Sequence, residues 1–255
     1  MDLHRKLIID MILAAAQTKP KRGDIDANLS DHYRLIELAV KNKAQLVAFP
    51  EMSITGYERE HAQKLAFQKN DSRLDHLQKL AVENNITIIA GAPIEIDSNL
   101  FIGEFVISPD NSVSIYTKQF LHEGEDEYFQ SSFDNNPIIS IENEKISFAI
   151  CADIDNPLHP ENARKRETDI YIASIFFSPN GIPNAYRNLQ NYAEKHQMNV
   201  LMSNFSGESW GSPSAGQSAF WNNKGELIGQ MNDSDSGLLL VEKQNDNWTT
   251  QIIID

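Results

Sequence analysis

Cys151 is the only cysteine of the 255-residue chain, and it ends an apolar run that predicts a buried strand. The end of a strand is a common place for reactive groups, because the strand fixes their position and the next turn offers free backbone N–H groups. A free cysteine can equally be an ordinary buried side chain. To act as a nucleophile, this thiol would need a base or a nearby cation that favours the thiolate.

Two other reactive side chains stand at predicted strand ends. Glu51 is the first ionisable residue after the apolar run 46–49, and Lys118 follows the alternating polar and apolar segment 112–117. Such alternation is typical of a half-buried strand. The sequence therefore predicts an acid, an amine and a thiol at one rim of a sheet.

In this order, the segments FPEMSITGY, YTKQFL and ICAD resemble those that carry the catalytic Glu, Lys and Cys of the nitrilase or carbon–nitrogen hydrolase superfamily. The resemblance extends over nearly the whole chain. It implies an α/β fold, a four-layer α-β-β-α sandwich with two sheets face to face, formed by a single domain over 1–255. It also implies hydrolysis of a non-peptide C–N bond in a small amide or N-carbamoyl compound, without a cofactor.

The chemistry explains why these three residue types are needed together. Glu51 would take the thiol proton as Cys151 attacks the carbonyl carbon. Lys118 and the backbone N–H of Ala152 would hold the negative charge that develops on the oxygen. Glu51 would then protonate the departing ammonia or amine, and it would later activate the water that hydrolyses the thioester.

The resemblance also assigns a second glutamate and part of the pocket. Glu125 has the position of a glutamate in the E-x-x-Y-F stretch of many superfamily members, with the implied role of orienting Lys118 and the substrate. On the residues alone, the acidic segment 123–127 can also be a solvated loop. Tyr57 and Phe176 are candidate pocket residues, although both can be ordinary packing residues.

Two departures from the superfamily pattern leave the substrate open. Phe120 stands where many members have histidine, and the segment 153–157 lacks the arginine and the Pro-Glu pair that commonly follow the nucleophile. Both changes concern the pocket wall rather than the three catalytic residue types. Carbamoyl compounds, ω-amides and aliphatic amides all remain possible substrates.

Composition narrows the class of partner. The formal net charge of −14 argues against nucleic acid, since such binding depends on Lys and Arg neutralising phosphates. No apolar run reaches the roughly 18 residues of a membrane helix, and Asp10 interrupts an N-terminal stretch that superficially resembles a signal peptide. We therefore interpret 10–17 as part of the folded structure and not as a cleaved segment. The single cysteine is compatible with a reducing, cytoplasmic location.

The elements that must position these residues alternate along the chain, which favours a sheet covered by helices. Helices are predicted near 25–42, 72–84 and 184–197 from apolar residues at helical spacing. Strands are predicted near 11–17, 45–49, 86–92, 100–107, 112–117, 145–150, 170–175, 199–204, 217–221, 227–230 and 238–242.

Other interpretations stay open. Cys151 could pair with His122 or His159 in a Cys-His hydrolase, but Glu51 and Lys118 would then have no role. A catalytically silent binding or scaffold protein is a further alternative. The seven histidines show no HxH or HExxH spacing, so no metal site is expected. The resemblance also implies a homodimer, for which 160–166 and 183–196 are the candidate contact segments.

Overall fold

A computed structural model describes residues 11–255, so the structure expected at Asp10 lies outside the described residues. Its strands are β1 Met11–Gln17, β2 Leu46–Ala48, β3 Thr87–Ile96, β4 Asn99–Ile107, β5 Val113–Thr117, β6 Ile139–Ile141, β7 Glu144–Ile150, β8 Ile170–Ile175, β9 Asn199–Asn204, β10 Glu208–Ser209, β11 Ser212–Pro213, β12 Ala219–Trp221, β13 Leu227–Gln230, β14 Gly237–Gln244 and β15 Asn247–Ile254. Its α-helices are α1 Ile25–Lys41, α2 Ala62–Leu65, α3 Asp75–Asn84, α4 Leu158–Lys165 and α5 Ile182–His196. Short 3₁₀ helices occupy Arg59–His61, Ser72–Leu74 and Cys151–Asp155.

The strands form two large sheets and one small hairpin. The first sheet has the order β15-β14-β1-β2-β3-β4-β5, and the second has the order β13-β12-β9-β8-β7-β6. β10 and β11 pair only with each other. Within the first sheet β1, β2 and β3 are parallel, and within the second β7, β8 and β9 are parallel.

Three apolar clusters separate the layers. One lies between the sheets and joins inward residues of both, among them Leu46 and Ile89 from the first and Phe148 and Ile172 from the second. A second lies between the first sheet and helices α1 and α3, and a third lies between the second sheet and helices α4 and α5. The expected four-layer α-β-β-α sandwich is therefore confirmed.

The helices form where the sequence provides an apolar face and a capping residue. The side chain of Asp24 accepts a hydrogen bond from the N–H of Ala27 and so caps α1, whose buried residues lie on one side. The segment predicted as a helix over 72–84 begins as a 3₁₀ turn and ends at Asn85, which has a left-handed conformation. Local periodicity thus predicted α1, α3 and α5, although not all of their first turns, and it did not predict the shorter helices α2 and α4.

The prediction omitted several elements that lie at edges. β15 is the outermost strand of its sheet, and each of its residues is exposed or only partly buried. The three-residue β6 is likewise an edge strand, and the β10–β11 hairpin has only two residues per strand. The sandwich core does not bury these strands from both sides, so their apolar pattern is weak. The strand expected from 217 begins instead at Ala219.

Strand direction brings the candidate residues to one edge. β3 and β4 are antiparallel, as are β4 and β5, so β5 runs in the same direction as β2 and β3. Glu51 follows β2 and Lys118 follows β5, at the carboxyl ends of strands of the first sheet. Cys151 follows β7 of the second sheet. The predicted rim therefore exists, and it is shared by the two facing sheets.

Candidate active site

Glu51 lies in a tight turn that rests on β3. A Cβ atom at Gly91 would approach the backbone nitrogen of Met52 to 2.5 Å, so only glycine allows the turn to lie this close. The backbone N–H of Ile54 donates to the Gly91 carbonyl oxygen at 2.9 Å. The Ser53 hydroxyl, in contact with the His32 ring at 2.9 Å, accepts the Gly91 N–H at 3.2 Å. The turn is therefore fixed, and Glu51 is fully buried.

Lys118 bridges two buried glutamates. Its Nζ donates to Oε1 of Glu51 and to Oε1 of Glu125, each at 2.8 Å. An ammonium group has three N–H donors, so one is left for another acceptor. Lys118 therefore joins the two glutamates and keeps one donor that neither of them occupies.

The two glutamates differ in how many of their oxygens are already occupied. Oε1 of Glu125 also accepts the Tyr57 hydroxyl at 2.6 Å, and its Oε2 accepts the backbone N–H of His122 at 2.8 Å. Oε2 of Glu51 is buried and has no hydrogen-bond partner of normal geometry among residues 11–255, although the Cys151 thiol is close enough to lower the pKa of Glu51. Glu51 therefore has a free acceptor, whereas both oxygens of Glu125 are held.

Glu125 is the only buried side chain of the acidic segment 123–127; Glu123, Asp126 and Glu127 are exposed, and Gly124 is partly exposed. The two interpretations of this segment therefore each describe part of it. Most of the charges are solvated, as in an ordinary loop. The glutamate in the E-x-x-Y-F position turns inward onto Lys118.

Cys151 begins the 3₁₀ helix directly after β7. Its φ of 45° lies in the left-handed region, which is uncommon for a side chain other than glycine. The thiol is 8 % exposed, and its Sγ lies 3.7 Å from the carbonyl oxygen of Phe176. Ala152 is the second residue of this helix, where backbone N–H groups have no acceptor within the helix.

Burial and charge set the protonation of the three groups. Burial raises the pKa of Glu51 to about 7, against the opposing effect of the Lys118 ammonium. Burial alone would lower the pKa of Lys118, but Glu51, Cys151 and Glu125 raise it well above its ordinary value. Burial and the neighbouring Glu51 charge raise the pKa of the Cys151 thiol. At neutral pH the resting site thus holds a thiol, a lysine cation and a glutamate poised to change its protonation.

Glu51 and Cys151 face a cavity of about 280 Å³. Aromatic rings form much of its wall, and the Tyr57 and Phe176 ring centroids are 5.3 Å apart. The lining residues are Glu51, Tyr57, His122, Glu125, Cys151, Phe176, Phe177, Ser178, Gly181, Trp210 and Ser212.

The structure brings together most of the residues that the sequence singled out. Glu51, Glu125, Cys151, Tyr57 and Phe176 line the cavity, and Lys118 lies behind them on the two carboxylates. Ala152 is buried and is not part of the lining, so only its backbone N–H relates to the expected role.

Sequence reasoning missed five lining residues: Phe177, Ser178, Gly181, Trp210 and Ser212. The signal for Phe177 was its place beside Phe176 at the end of β8. Trp210 and Ser212 come from the short β10–β11 hairpin, which no periodicity indicated.

The two histidines of the Cys-His alternative have different surroundings. Both ring nitrogens of His159 contact tyrosine hydroxyls, Nε2 with Tyr116 at 2.8 Å and Nδ1 with Tyr171 at 2.6 Å. They are therefore occupied and cannot take a proton from Cys151. His122 lines the cavity, and its Nδ1 lies 3.2 Å from the Glu123 carbonyl oxygen.

Metal sites and membrane-spanning helices are both absent from the described part of the chain. Within residues 11–255, no group of three or more His, Cys, Asp or Glu side chains is arranged to hold a metal ion. None of the helices in the same range has the length and apolar character that a membrane span requires.

The family model for carbon-nitrogen hydrolase matches residues 12–251. The chain belongs to this family. A nitrilase from Pyrococcus abyssi is 24% identical to this carbon-nitrogen hydrolase over 236 residues, which cover 90% of the chain and 88% of the relative. The glutamine-dependent NAD(+) synthetase of Thermotoga maritima is 27% identical over 64% of the chain, and an arylacetonitrilase of Aspergillus kawachii is 32% identical over 40% of it. The matched segments span only 29% and 34% of those two relatives.

Solved structures of family relatives have the same fold. An alanine mutant of the amidase from Nesterenkonia sp. AN1, in complex with butyramide, has a TM-score of 0.83 and 20% identity, with 94% of each chain covered. A glutamine mutant of the same amidase shows covalent addition of the acetamide moiety of fluoroacetamide at the active site cysteine, with a TM-score of 0.82 and 20% identity over 92% of this chain and 91% of that one. The α/β architecture with two large sheets is therefore that of a nitrilase-superfamily amidase.

Proposed function

We propose that this carbon-nitrogen hydrolase cleaves the C–N bond of a small amide or N-carbamoyl compound through a thioester on Cys151. Family membership supports C–N bond hydrolysis in general. The observation that carries the finer proposal is the meeting, at one cavity, of the only thiol with a Glu51 carboxylate that has a free oxygen and a Lys118 ammonium that has a free donor.

In the first half-reaction, the Cys151 proton passes to Oε2 of Glu51 as Sγ forms a bond to the carbonyl carbon. The third N–H of Lys118 and the backbone N–H of Ala152 stabilise the oxygen that becomes negatively charged. Glu51 then returns the proton to the leaving nitrogen as the C–N bond breaks. Ammonia or an amine departs, and the acyl group remains on sulfur.

In the second half-reaction, water takes the place of the departed amine. Glu51 removes a proton from this water as its oxygen bonds to the thioester carbon, and the same donors again hold the developing charge. The C–S bond then breaks, and Glu51 returns the proton to sulfur. One carboxyl group with a pKa of about 7 is suited to both directions of transfer at neutral pH.

The test is a panel of small amides and N-carbamoyl compounds in which ammonia release is followed. We expect turnover by the wild type, none by Cys151→Ser, and loss of activity in proportion to iodoacetamide labelling. Cys151 is the only cysteine, so intact mass reports its labelling directly. Circular dichroism confirms that the variant is folded, and full activity in a folded Cys151→Ala variant would exclude the thioester mechanism.

We also propose that residues 1–255 act as one cytoplasmic domain that forms a homodimer, as the superfamily resemblance implies. The apolar side of α5, including Leu189 and Ala193, packs on its own sheet and is not free for this contact. Leu158 at the start of α4 and Phe133 in a nearby loop are more than half exposed. Sedimentation at micromolar concentration distinguishes a dimer from a single chain of 28.8 kDa.

A further inference from the structure

One carboxylate ties together the two segments that carry Lys118 and Cys151. Oδ1 of Asp153 accepts the backbone N–H groups of Gln119 at 3.0 Å and Phe120 at 2.8 Å, the two residues after Lys118. Its Oδ2 accepts the backbone N–H of Ile150 at 2.9 Å, directly before Cys151. Asp153 is fully buried, so these bonds are sheltered from competing water.

A chain of three more buried side chains ends on the same carboxylate. Oδ2 of Asp153 lies 2.6 Å from the Tyr116 hydroxyl, which lies 2.8 Å from Nε2 of His159. Nδ1 of His159 lies 2.6 Å from the Tyr171 hydroxyl. Tyr116 and Tyr171 are fully buried, and His159 is 4 % exposed. The mechanism above uses none of these three side chains.

The chemistry of each member determines which way the hydrogen bonds run. Both oxygens of Asp153 already accept backbone N–H groups, so the carboxyl group is the acceptor toward the Tyr116 hydroxyl. Tyr116 must therefore donate its hydroxyl proton to Asp153, and its oxygen must accept from His159. Nε2 of His159 then carries the proton, and in a neutral ring Nδ1 accepts from Tyr171.

We propose that Tyr171, His159 and Tyr116 form a one-way chain of hydrogen-bond donors that ends on Asp153 and positions Lys118 relative to Cys151. The three side chains are positioning residues, because they act through Asp153 and do not reach the cavity. The direction of the chain stands on the hydrogen-bond geometry and on the donor and acceptor chemistry of its members. Its effect on reactivity rests on the proposed function of Cys151.

The burial of each member supports these protonation states. Burial lowers the pKa of His159, although the Asp153 charge opposes this effect, so the ring is neutral at neutral pH. Burial raises the pKa of both Tyr116 and Tyr171 well above the ordinary value, so both phenols keep their protons. Hydrogen bonds aligned in one direction strengthen one another in such an interior.

The first test determines the direction of the hydrogen-bond chain and needs no activity assay. Nitrogen-15 spectra of protein labelled at histidine, recorded near pH 7, report the tautomer of each ring, and His159→Gln identifies the His159 signals. We expect a proton on Nε2, an unprotonated Nδ1, and a shift of the Nδ1 signal in Tyr171→Phe. A proton on Nδ1, or a doubly protonated ring, would overturn the proposal.

The second test measures the positioning effect by the alkylation rate of Cys151, the only thiol. We expect Tyr116→Phe to slow iodoacetamide alkylation of Cys151 about tenfold, and Tyr171→Phe to slow it less, because small displacements at a reacting centre are costly. For any amide that is turned over, kcat should fall with little change in KM. Alkylation needs no amide, so it remains informative even if the amide panel shows no turnover.

Tyr186→Phe is the matched control. Its hydroxyl donates to the Gln217 carbonyl oxygen at 2.6 Å, so the variant also loses one largely buried hydrogen bond, but outside the chain. Thermal unfolding should show comparable destabilisation for Tyr171→Phe and Tyr186→Phe. Equal alkylation rates in Tyr116→Phe, Tyr171→Phe and Tyr186→Phe would show that the hydrogen-bond chain only supports the fold. That result would reject its positioning role.

Discussion

At the scale of single residues, two glutamates share one lysine but differ in their other hydrogen bonds. Each places Oε1 on Lys118 at 2.8 Å, so the lysine alone does not distinguish them. Tyr57 and the His122 backbone occupy the remaining capacity of Glu125, whereas Oε2 of Glu51 has no partner among the described residues. We therefore propose that Glu51 transfers the proton and that Glu125 positions Lys118.

This difference predicts how the rate depends on pH. Below a pH of about 7, Glu51 gains a proton and can no longer act as the base. We expect kcat/KM to fall about tenfold per pH unit on the acid side. Measuring kcat/KM from pH 5 to pH 8 tests this, and a rate that stays level down to pH 5 would contradict the assignment.

The same difference between the two glutamates predicts how much activity their variants retain. Glu51→Gln should lose at least about 10³-fold in kcat/KM, Glu125→Gln should retain more activity, and Glu125→Asp should be milder still. Glu58→Gln is a matched control, because Glu58 is buried and pairs with Arg22 rather than with Lys118. Comparable losses in Glu51→Gln and Glu58→Gln would indicate a general effect on folding.

At the scale of elements, the β10–β11 hairpin forms one wall of the cavity. Trp210 lies at its turn with a φ of 50°, and its Nε1 donates to the Glu60 carboxylate at 3.0 and 3.1 Å. The guanidinium of Arg59 lies 4.3 Å from the indole centroid, and the Tyr57 ring meets the indole edge-to-face at 5.7 Å. The 3₁₀ helix Arg59–His61 therefore holds Trp210 in place through Arg59 and Glu60.

The wall predicts a preference that depends on the size of the acyl group. Trp210→Ala removes apolar contact area, so we expect kcat/KM for hexanamide to fall about 10- to 100-fold and that for acetamide to change little. Trp210→Phe should retain most of the preference. Trp248→Phe, on β15 and outside the cavity lining, provides the control. Equal losses for the two amides would show that Trp210 does not select the acyl group.

At the scale of the whole molecule, folding buries a carboxyl group that has no cation. Glu104 in β4 is fully buried, and neither of its oxygens has a hydrogen-bond partner of normal geometry in the described structure. Burial raises its pKa well above the ordinary value; the Ser174 hydroxyl opposes this rise, and the Asp153 and Glu51 charges add to it. The folded chain therefore keeps a proton that the unfolded chain releases.

The proton on Glu104 predicts that the difference in free energy of unfolding between Glu104→Gln and the wild type grows with pH. The folded pKa of Glu104 is raised, so its favourable contribution is complete below the unfolded value of about 4.3 and is lost as pH rises toward the folded value. Glu104→Gln removes this dependence. Its free energy of unfolding relative to wild type should increase by up to about 1.4 kcal/mol per pH unit above that point. Urea titrations at pH 4, 5.5 and 7 measure it, and a difference that is constant with pH would contradict the prediction.

Much of the framework is determined by the sequence itself. Apolar runs that stop at Glu51, Lys118 and Cys151 place the three groups at strand ends, because burial and strand period are local properties of the chain. The apolar faces of α1 and α5 likewise predict which sides meet the sheets. These features need only neighbours in sequence, and the structure places them as expected.

The tertiary structure alone decided which side chains meet across long separations. Trp210 reaches Glu60 over 150 residues, and Asp153 joins the segments after Lys118 and before Cys151. The free oxygen of Glu51, the directed chain to Asp153 and the unpaired Glu104 all follow from sheet order and register. No local pattern encodes those properties, because hydrogen-bond partners and desolvation depend on what the other sheet brings alongside.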